Sequence, residues 1–500
     1  MTVTAGNVWA AREAPAPAGD LDAQVHETHT GVVVLLGDRA YKLKKPVITD
    51  FLDFSTPLSR QRACEREVML NRRLAPQSYL GVAQFHGPAG EPAEPVIEMR
   101  RYSDSTRLAS LVKAGEPVQQ HLCVIAEMLA HFHRDAARGP AIDAQGTVDA
   151  ISARWHQNLG ELERYADDIV DREAIAQLTR LVDQFIAGRA ALFEERIGDG
   201  RMIDGHGDLL ADDIFCAPEG PALLDCLEFD DDLRYVDGVD DAAFLGMDLE
   251  YLGRPDLGEV FVDEYRRRVG DPAPNSLTSF YIAYRAVVRA KVDCIRVVQG
   301  HQDARAHARR HIDIALKRLR AATVLLILIG GGPGTGTSTL SRNLSDRIGA
   351  QVLSTDDVRK RLQKEGSLTG HIGELDSGLY SPENVSKVYD EVLRQADLLL
   401  RRGSSVILDG TWRDPSHRRR AGLLATATAA PLVELTCSLP LEEAAARIEG
   451  RAESSSDATP QIAAALGTAD VSSPGGHRIN TGAPLADSVE EAQRICCLAI

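Results

Sequence analysis

The sequence predicts two domains of different fold class, an α+β domain over residues 21–320 and an α/β domain with a parallel sheet over residues 321–500. Before residue 320, a strand hairpin precedes segments that are mostly helical. After it, strands and helices alternate, which is typical of a parallel sheet covered by helices on both faces. Since domains of ~150 residues are common, a chain of 500 residues can form more than one core.

The first domain begins with a small lobe at about 21–105. Residues 1–20, which include Ala-Pro-Ala-Pro at 14–17, are predicted to form a flexible tail. Gly37-Asp38 lies between two apolar runs and predicts a tight hairpin turn. The predicted elements are strands at 31–36 and 39–44, a helix at 58–74 and a strand at 96–99.

The larger lobe, at about 106–320, is predicted to be mainly helical. Helices dominate residues 119–197 and return at 255–320, where the basic stretch from Arg305 to Arg320 leads towards the second domain. A second β region lies between them, with strands predicted at 202–203 and 223–229.

Three aspartates in this β region have the spacing of a phosphotransfer site. Asp208 lies in His206-Gly-Asp, Asp213 follows five residues later, and Asp225 comes twelve residues after that. In protein-kinase-like enzymes one aspartate accepts the proton of the attacking hydroxyl, and two further side chains bind Mg²⁺. We predict that Asp208 is catalytic and that Asp213 and Asp225 bind metal. The alternative is that Asp208 and Asp225 are only turn and strand-end residues.

The small lobe supplies candidate partners for the phosphates. Lys42 follows Ala40-Tyr41 on the second hairpin strand, the position of a phosphate-binding lysine. Glu67 lies on an otherwise apolar helix stripe and needs a cation. Lys42 is the expected partner, and Lys44 on the same strand face is a rival. The alternative is that Lys42 and Glu67 are solvated surface residues.

The motifs His206-Gly-Asp-Leu, Leu224-Asp225-Cys226 and Asp241-Ala-Ala-Phe-Leu resemble the aminoglycoside phosphotransferase family, which has a bilobal protein-kinase-like fold. Further motifs resemble a bacterial branch in which this domain is fused to a small P-loop kinase; they are Ala40-Tyr-Lys-Leu-Lys-Lys-Pro46, Cys64-Glu-Arg-Glu-Val68, Asn71-Arg-Arg-Leu-Ala75 and Leu227-Glu-Phe229. The resemblance implies the same roles for Lys42, Asp208 and Asp225. Two positions depart from it, since the family usually has histidine at Leu210 and asparagine at Asp213.

The second domain opens with an apolar strand, predicted at 324–329, that runs into a glycine-rich phosphate loop. The backbone N–H groups of such a loop bind a nucleotide phosphate, and a hydroxyl after it binds Mg²⁺. The expected nucleotide-binding residues are Gly331, Gly332, Pro333, Gly334, Thr335, Gly336, Thr337, Ser338 and Thr339, with Ser338 also the metal ligand. The usual pattern is G-x-x-x-x-G-K-[ST], so Thr337 replaces a lysine. Lys360, Arg359 or a lid arginine is expected to supply the missing charge.

The further strands of this domain are predicted at 351–354, 405–409 and 432–436. Ser354-Thr-Asp356, with Arg359 and Lys360 after it, resembles a segment of zeta-toxin-like and gluconate-kinase-like P-loop enzymes. That resemblance implies that Asp356 is catalytic and that Arg359 binds substrate or phosphate; the alternative is that Asp356 only caps a helix.

Asp409 ends a buried strand at the ligand-binding edge and is a candidate metal ligand. Arg447 and Arg451 are one helical turn apart, either as lid arginines that close on the nucleotide or as part of a solvated face. We include Arg451 among the nucleotide-binding candidates. The stretch 452–485 is predicted to be a mobile loop region.

The composition of the chain disfavours several classes of protein. A net charge of −17 disfavours broad nucleic-acid or anionic-membrane binding. Eight cysteines without C-x-x-C spacing, no secretory signal and no long apolar run predict a cytoplasmic protein. The expected activity is phosphotransfer from ATP (or GTP) with Mg²⁺ to a hydroxyl of a small molecule. The alternative is a nucleotide-binding regulatory or stress protein, and aminoglycoside resistance rests on analogy alone.

Overall fold

A computed structural model describes residues 23–27, 31–47, 54–86, 93–370, 378–449 and 476–500. By contacts, the chain divides into a unit formed by residues 1–179, 193–273 and 277–319 and a unit formed by residues 180–192, 274–276 and 320–500. The predicted tail at 1–20 lies outside the described residues. Within these ranges, no helix combines the length and apolar character that a bilayer crossing requires.

The small lobe of the N-terminal unit is an antiparallel sheet of five strands in the order β1-β2-β3-β5-β4. Its strands are β1 (Gln24–Glu27), β2 (Gly31–Leu36), β3 (Arg39–Lys44), β4 (Tyr79–Phe85) and β5 (Glu94–Arg100). Helix α1 (Pro57–Asn71) packs on β4 and β5. It begins with a capping box between Thr56 and Ser59 and has proline at its first position, as its sequence favours. The helix ends at Asn71 and does not continue to residue 74.

The large lobe is mainly helical, as predicted. Its helices are α2 (Leu108–Ala114), α3 (Gln119–Asp135), α4 (Pro140–Ala144), α5 (Val148–Leu162), α6 (Arg172–Gly188), α7 (Ala190–Gly198), α8 (Gly238–Tyr251), α9 (Pro255–Val269), α10 (Asn275–Val298) and α11 (Ala304–Ala322). Two short antiparallel pairs lie between them, β6 (Met202–Asp204) with β9 (Tyr235–Asp237) and β7 (Ile214–Ala217) with β8 (Gly220–Leu223).

The predicted strand at 223–229 is wrong over most of its length. Strand β8 ends at Leu223, and Asp225 has a φ of 64°, which an extended strand does not allow. Helix α8 lies before the position at which helices were expected to return. Gly246 of α8 meets Gly258 of α9 so closely that a Cβ on Gly258 would lie 2.6 Å from a backbone oxygen.

The C-terminal unit contains a parallel sheet in the order β11-β12-β10-β13-β14. The strands are β10 (Leu326–Gly330), β11 (Gln351–Ser354), β12 (Val406–Asp409), β13 (Leu432–Ser438) and β14 (His477–Asn480). The helices are α12 (Thr337–Ile348), α13 (Thr355–Lys364), α14 (Pro382–Arg401), α15 (Pro415–Ala427), α16 (Leu441–Glu449) and α17 (Leu485–Leu498). Leu326 and Leu328 enter the core on one sheet face, and Ile327 and Ile329 enter the core on the other. The alternation explains why β10 is apolar throughout.

Both predicted fold classes are confirmed, a bilobal protein-kinase-like α+β unit and an α/β P-loop unit with a parallel sheet. Strand β14 corrects the prediction that 452–485 is a loop region, because residues 477–480 pair with Leu435–Ser438. Residues 450–475 of that stretch lie outside the described residues.

Candidate functional site

The small lobe brings Lys42 and Glu67 together as the sequence predicts. Lys42 Nζ lies 2.7 Å from Glu67 Oε1 and 2.7 Å from Asp225 Oδ1. Lys44 Nζ lies 2.5 Å from the other oxygen of Glu67 and 2.6 Å from Glu228. Both lysines therefore hold Glu67, but Lys42 is the one that also reaches the aspartate of the large lobe.

These charges stabilise one another because they are removed from water. Burial acts to raise the pKa of Glu67, but the two lysines overcome it and lower the pKa to about 2. Burial acts to lower the pKa of Lys42, whereas Asp225 and Glu67 raise it well above its ordinary value. Both side chains are thus charged at neutral pH, and neither is the solvated surface residue of the alternative interpretation.

The loop that carries Asp208 is fixed by a buried carboxylate. Asp241, on α8, accepts hydrogen bonds from the backbone N–H groups of His206 and Gly207, each at 2.8 Å. His133 Nε2 lies 2.9 Å from the same carboxylate, and its Nδ1 lies 2.7 Å from Tyr265 Oη. Burial acts to raise the pKa of Asp241, but the hydrogen bond from His133 holds it below its ordinary value. His133 is therefore a buried residue that holds Asp241 in place.

His206 connects this loop to the segment that carries Asp225. Burial lowers the pKa of His206 to about 4, so the ring is neutral at physiological pH. Its Nε2 lies 3.1 Å from the carbonyl oxygen of Leu224, and its Nδ1 accepts from the Asp208 N–H at 3.3 Å. The bonds require a proton on Nε2. His206 thus holds the backbone next to both aspartates.

Asp213 is a buried carboxylate and Asp208 a half-buried one, and each has an oxygen whose hydrogen-bonding capacity is not used. In each, Oδ1 has no hydrogen-bond partner among the residues that the structure describes. Burial raises the pKa of Asp208 to about 7. The pKa of Asp213 rises well above its ordinary value, first through burial and then through Asp225 and Asp208. Leu210, where the family usually has histidine, is buried beside them in the loop.

Asp225 adopts a left-handed backbone conformation with φ 64°, which aspartate tolerates better than most residues. Its N–H donates to Tyr79 Oη at 3.1 Å, and the next N–H, of Cys226, donates to Asn71 Oδ1 at 2.8 Å. Asn71 in turn donates to the carbonyl oxygen of Glu67 at 3.0 Å. The turn is therefore held by side chains of the small lobe.

Two aspartates of this unit suit Mg²⁺. Within the described ranges, no three His, Cys, Asp or Glu side chains form a metal cage. Mg²⁺ is usually held by one or two carboxylates together with water and nucleotide phosphates, so a complete protein cage is not required. The orphaned Oδ1 of Asp213 and the half-exposed carboxylate of Asp225 fit that role.

The phosphate loop of the C-terminal unit has the geometry that its glycines require. Gly334 and Gly336 have φ of 83° and 89°, and a Cβ on Gly331 would lie 2.5 Å from Thr335 Oγ1. Thr335 Oγ1 donates to the carbonyl oxygen of Gly332 at 2.7 Å. Helix α12 begins at Thr337, so its free N–H groups meet the loop.

The two candidate metal ligands of this unit lie side by side. Ser338 Oγ donates to Asp409 Oδ2 at 2.7 Å. Burial raises the pKa of Asp409, and hydrogen bonds from Ser338 and Thr337 oppose the rise. A hydroxyl and a carboxylate at the end of a phosphate loop are suited to Mg²⁺. Thr337 therefore places a short hydroxyl side chain near Asp409, where the usual lysine would extend towards the phosphates.

Asp356 and Arg359 form an ion pair at the end of β11. Arg359 Nη1 lies 2.5 Å from Asp356 Oδ1, and the guanidinium stacks over Tyr380 with its carbon 4.5 Å from the ring centre. The side chain that caps α13 is Ser354, which accepts from the Asp356 N–H at 3.2 Å. The interpretation of Asp356 as the helix cap is therefore wrong, and its carboxylate is left for another role.

Arg447 extends to the phosphate loop. Its Nη2 donates to the carbonyl oxygen of Thr481 at 3.0 Å, and its Nη1 would lie 3.6 Å from a Cβ on Gly336. Thr481 Oγ1 also donates to the carbonyl oxygen of Thr335 at 2.6 Å. The other lid candidate, Arg451, lies outside the described residues.

Sequence reasoning missed several residues that hold these sites. Tyr79, Asn71 and Asp241 act through the loops that they anchor, and Asn71 and Asp241 occur in the sequence only as parts of family-like motifs. Thr481 follows a strand that was not predicted. No signal in the residue pattern identified Tyr79, because its role depends on the backbone turn at Asp225.

Residues 326–470 match the sequence family described as "AAA domain", which confirms the predicted P-loop kinase domain in this part of the chain. A choline/ethanolamine kinase family protein from Mesorhizobium loti is 13% identical and covers 60% of this chain and 92% of its own, at a TM-score of 0.36. A gluconokinase from Sinorhizobium meliloti 1021 is 18% identical and covers 35% of this chain and 92% of its own, at a TM-score of 0.26.

Whole-length relatives occur in mycobacteria. The uncharacterized protein Mb2027c of Mycobacterium bovis is 56% identical over 476 residues, which are 95% of this chain and 96% of that protein. The uncharacterized protein Rv2004c of Mycobacterium tuberculosis matches with the same identity and coverage. At this identity over nearly the whole length, the chain belongs to the family of these mycobacterial proteins.

Proposed function

We propose that the N-terminal unit is a phosphotransferase that moves the γ-phosphoryl group of ATP to a hydroxyl of a small molecule. The observation that carries this proposal is the contact of Lys42 with both Glu67 and Asp225, each at 2.7 Å. A lysine held by a helix glutamate and facing an aspartate is the arrangement by which protein-kinase-like enzymes position phosphates. Asp208, on the loop fixed to the same turn through His206, supplies the base.

The proposed roles follow from the chemistry of each group. Lys42 binds the nucleotide phosphates, and Glu67 holds its charge in place. Asp213 and Asp225 hold Mg²⁺, which neutralises phosphate charge when bound. Asp208 orients the acceptor hydroxyl and takes its proton, for which a pKa of about 7 is well matched to neutral pH.

We propose that the C-terminal unit binds ATP or GTP at its phosphate loop, with Ser338 and Asp409 as Mg²⁺ ligands and Arg447 as a source of positive charge. In this unit we propose that Asp356 is the base for the acceptor hydroxyl and that Arg359 binds the acceptor or its phosphate. The support is the loop geometry and the 2.7 Å contact between Ser338 and Asp409. Because Thr337 replaces a lysine, binding is better supported than turnover.

A nucleotide-binding regulator is the second candidate, and one observation favours it. Asp213 stands where an amide is usual and adds a third carboxyl group beside Asp208 and Asp225, and burial together with these neighbours raises the pKa of Asp213 well above its ordinary value. Extra negative charge facing a triphosphate slows turnover more than it prevents Mg-dependent binding. The phosphotransferase and the regulator would both bind ATP, and they differ in whether the ATP is hydrolysed or its phosphoryl group transferred.

The test measures ADP release by the full-length protein with Mg-ATP and a panel of sugars, sugar acids and amino sugars. Turnover that Asp208→Asn abolishes, with ATP affinity kept within a few-fold, supports the N-terminal phosphotransferase. Asp212→Asn, a neighbouring carboxylate in the same loop, is the matched control. Tight binding of a nonhydrolysable ATP analogue without turnover on any acceptor favours the regulator, and turnover unchanged by Asp208→Asn removes Asp208 from the reaction.

A further inference from the structure

A cavity of the N-terminal unit lies beside Asp208 and has a positively charged wall. The cations that line it are Arg154 of α5 and Arg285, Arg289 and Lys291 of α10. Asp208 and Asp232 are the acidic residues of its lining. Residues 285 and 289 are four apart on one helix, so they share a face. The space next to the proposed base is therefore surrounded by more positive than negative charge.

Two of these cations already have anionic partners. Arg285 donates from Nε and Nη2 to the carboxylate of Asp240, at 2.8 and 2.9 Å. Lys291 Nζ lies 3.4 Å from Glu161. Neither Asp240 nor Glu161 lines the cavity. The charges of Arg285 and Lys291 are thus largely balanced by carboxylates outside the cavity, and these ion pairs stabilise the helix packing.

Arg289 has no ion-pair partner among the described residues, although its charge acts on the carboxylates of Asp208 and Asp248. It is only 7% exposed, and its Nη1 has no hydrogen-bond partner among the described residues. A buried guanidinium donor left unmet costs free energy unless a ligand satisfies it. Arg154 donates to the neutral amide of Gln145 at 2.9 Å, and its charge also acts on Asp240. The wall therefore offers an incoming molecule an unmet guanidinium donor and a second cation.

Arg289 also lies close to the proposed base. Burial is the largest influence on the pKa of Asp208, and the charge of Arg289 is the strongest that opposes it. Within the described ranges, the two side chains do not form an ion pair. A small molecule can therefore contact the Asp208 carboxylate with one group and the Arg289 guanidinium with another.

We propose that the acceptor of the N-terminal unit is an anionic hydroxyl compound, a sugar acid or a sugar phosphate, whose oxyanion binds Arg289. This rests on the phosphotransfer function proposed above. Guanidinium forms charge-assisted, often bidentate hydrogen bonds with carboxylate and with phosphate. A polycationic acceptor would place ammonium groups against the same arginines, and that repulsion selects against it.

In the proposed reaction the acceptor oxygen forms a bond to the γ-phosphorus as the bond from that phosphorus to the β–γ bridging oxygen breaks. The electron pair of the broken bond leaves with the nucleoside diphosphate, and the hydroxyl proton passes to Asp208. The oxyanion on Arg289 takes no part in bond making. The contact between this oxyanion and Arg289 holds the acceptor hydroxyl next to Asp208. Arg289 is therefore a binding residue.

The test compares acceptors that differ mainly in charge. Glucose, gluconate, glucose 6-phosphate and a polycationic amino sugar are supplied with Mg-ATP to the full-length protein, and ADP release is followed. We expect kcat/KM for gluconate or glucose 6-phosphate to exceed that for glucose by about 10-fold or more, as one charge-assisted contact allows. The better of the two identifies the anion as carboxylate or phosphate.

Substitutions of Arg289 test its contribution to acceptor binding. Arg289→Gln should raise KM for the anionic acceptor about 10- to 100-fold with kcat nearly kept and glucose unaffected. Arg289→Lys should recover part of the loss, and it replaces Arg289→Gln if that variant does not fold. Arg296→Gln, on the same helix and outside the cavity lining, is the matched control.

Equal kcat/KM for charged and neutral acceptors, or an equal effect of Arg289→Gln on all of them, would overturn the anion site and leave phosphotransfer standing. If no acceptor turns over, the proposed phosphotransfer fails, and calorimetry with a nonhydrolysable ATP analogue and gluconate or glucose 6-phosphate decides the anion site separately. Binding that Arg289→Gln abolishes supports the site, and no binding of either compound overturns it.

Discussion

We predict that Arg447→Gln weakens nucleotide binding by the C-terminal unit. Thr337 leaves the β- and γ-phosphates without their usual lysine, and Arg447 is the cation that the structure brings to the loop. Its Nη1 would lie 3.6 Å from a Cβ on Gly336, and Nη2 donates to Thr481 at 3.0 Å. Thr481 is itself bonded to Thr335 of the loop. The guanidinium is therefore held within reach of a bound phosphate.

The size of the effect follows from this geometry. A hydrogen bond to a charged group contributes about 1.5–3 kcal/mol, which is about 10- to 150-fold in affinity. Arg447 is exposed and one of its Nη atoms is already engaged, so the lower end, about 10-fold, applies. Thr337→Lys alone should gain little, because a new lysine beside Arg447 meets like charge. In the Arg447→Gln background the same lysine should restore the affinity.

The assay is calorimetry with a nonhydrolysable ATP analogue on the full-length protein. All variants carry Asp225→Ala, so that the nucleotide site of the N-terminal unit contributes little. Arg419→Gln, an exposed arginine of α15, is the matched control. An unchanged dissociation constant in Arg447→Gln would refute the role of Arg447. A large gain from Thr337→Lys alone would show that the native loop lacks a substitute for the lysine.

Two further predictions concern the N-terminal unit. Asp225→Ala should lower the Mg-ATP affinity of the N-terminal unit. Calorimetry in the Thr337→Lys background, in which the affinity of the C-terminal site is known, separates the two sites. Equal Mg-ATP affinity of the N-terminal unit with and without Asp225→Ala would exclude a metal role for Asp225. Turnover should rise with pH through about 7, because Asp208 acts as a base only when deprotonated. Asp208→Asn should also raise Tm, by an amount that grows between about pH 4, near the pKa of an unfolded aspartate, and about pH 7, and is constant above that. The native pKa of Asp208 is raised, so the stability that its protonated form gives is lost over this window as pH rises through the native pKa.

Much of this structure could be predicted from short stretches of the sequence. The P-loop could be predicted because β10 is an unbroken apolar strand followed by glycines, and glycine adopts the positive φ observed at Gly334 and Gly336 without steric cost. The pairing of Lys42 with Glu67 could be predicted for a different reason. A carboxylate on an apolar helix stripe cannot remain buried without a cation, and few lysines are available in the small lobe.

What could not be predicted depends on contacts between distant segments. Asp225 was assigned to a strand because its neighbours are apolar, yet hydrogen bonds from the backbone to Tyr79 and Asn71 hold a left-handed turn there. Strand β14 lies in a polar stretch and is a strand only because β13 offers it a parallel edge. Arg289 carries no local signal, since its importance comes from a missing partner that only the packed lobe reveals.

Two of the three departures from the usual motifs, those at Thr337 and Asp213, have different physical consequences. The change at Thr337 removes a positive charge, and Arg447, which lies beside the loop, is the proposed replacement. The change at Asp213 adds an acidic group beside Asp208 and Asp225, and burial together with those neighbours raises its pKa well above the ordinary value. Nucleotide binding by the N-terminal unit should therefore depend more steeply on Mg²⁺ than a site with asparagine would.

This predicts a specific response of Asp213→Asn. At low free Mg²⁺ the variant should bind a nonhydrolysable ATP analogue more tightly than the parent, because one carboxylate no longer faces the triphosphate. Since the pKa of Asp213 is raised, this difference should grow as pH rises and Asp213 loses its proton. At saturating Mg²⁺ the two should converge, since the metal then balances the charge. Calorimetry at both Mg²⁺ levels, with Asp212→Asn as the matched control, measures the difference. If the affinity ratio is the same at both levels, Asp213 does not face the metal and the nucleotide, and its extra charge has no functional consequence.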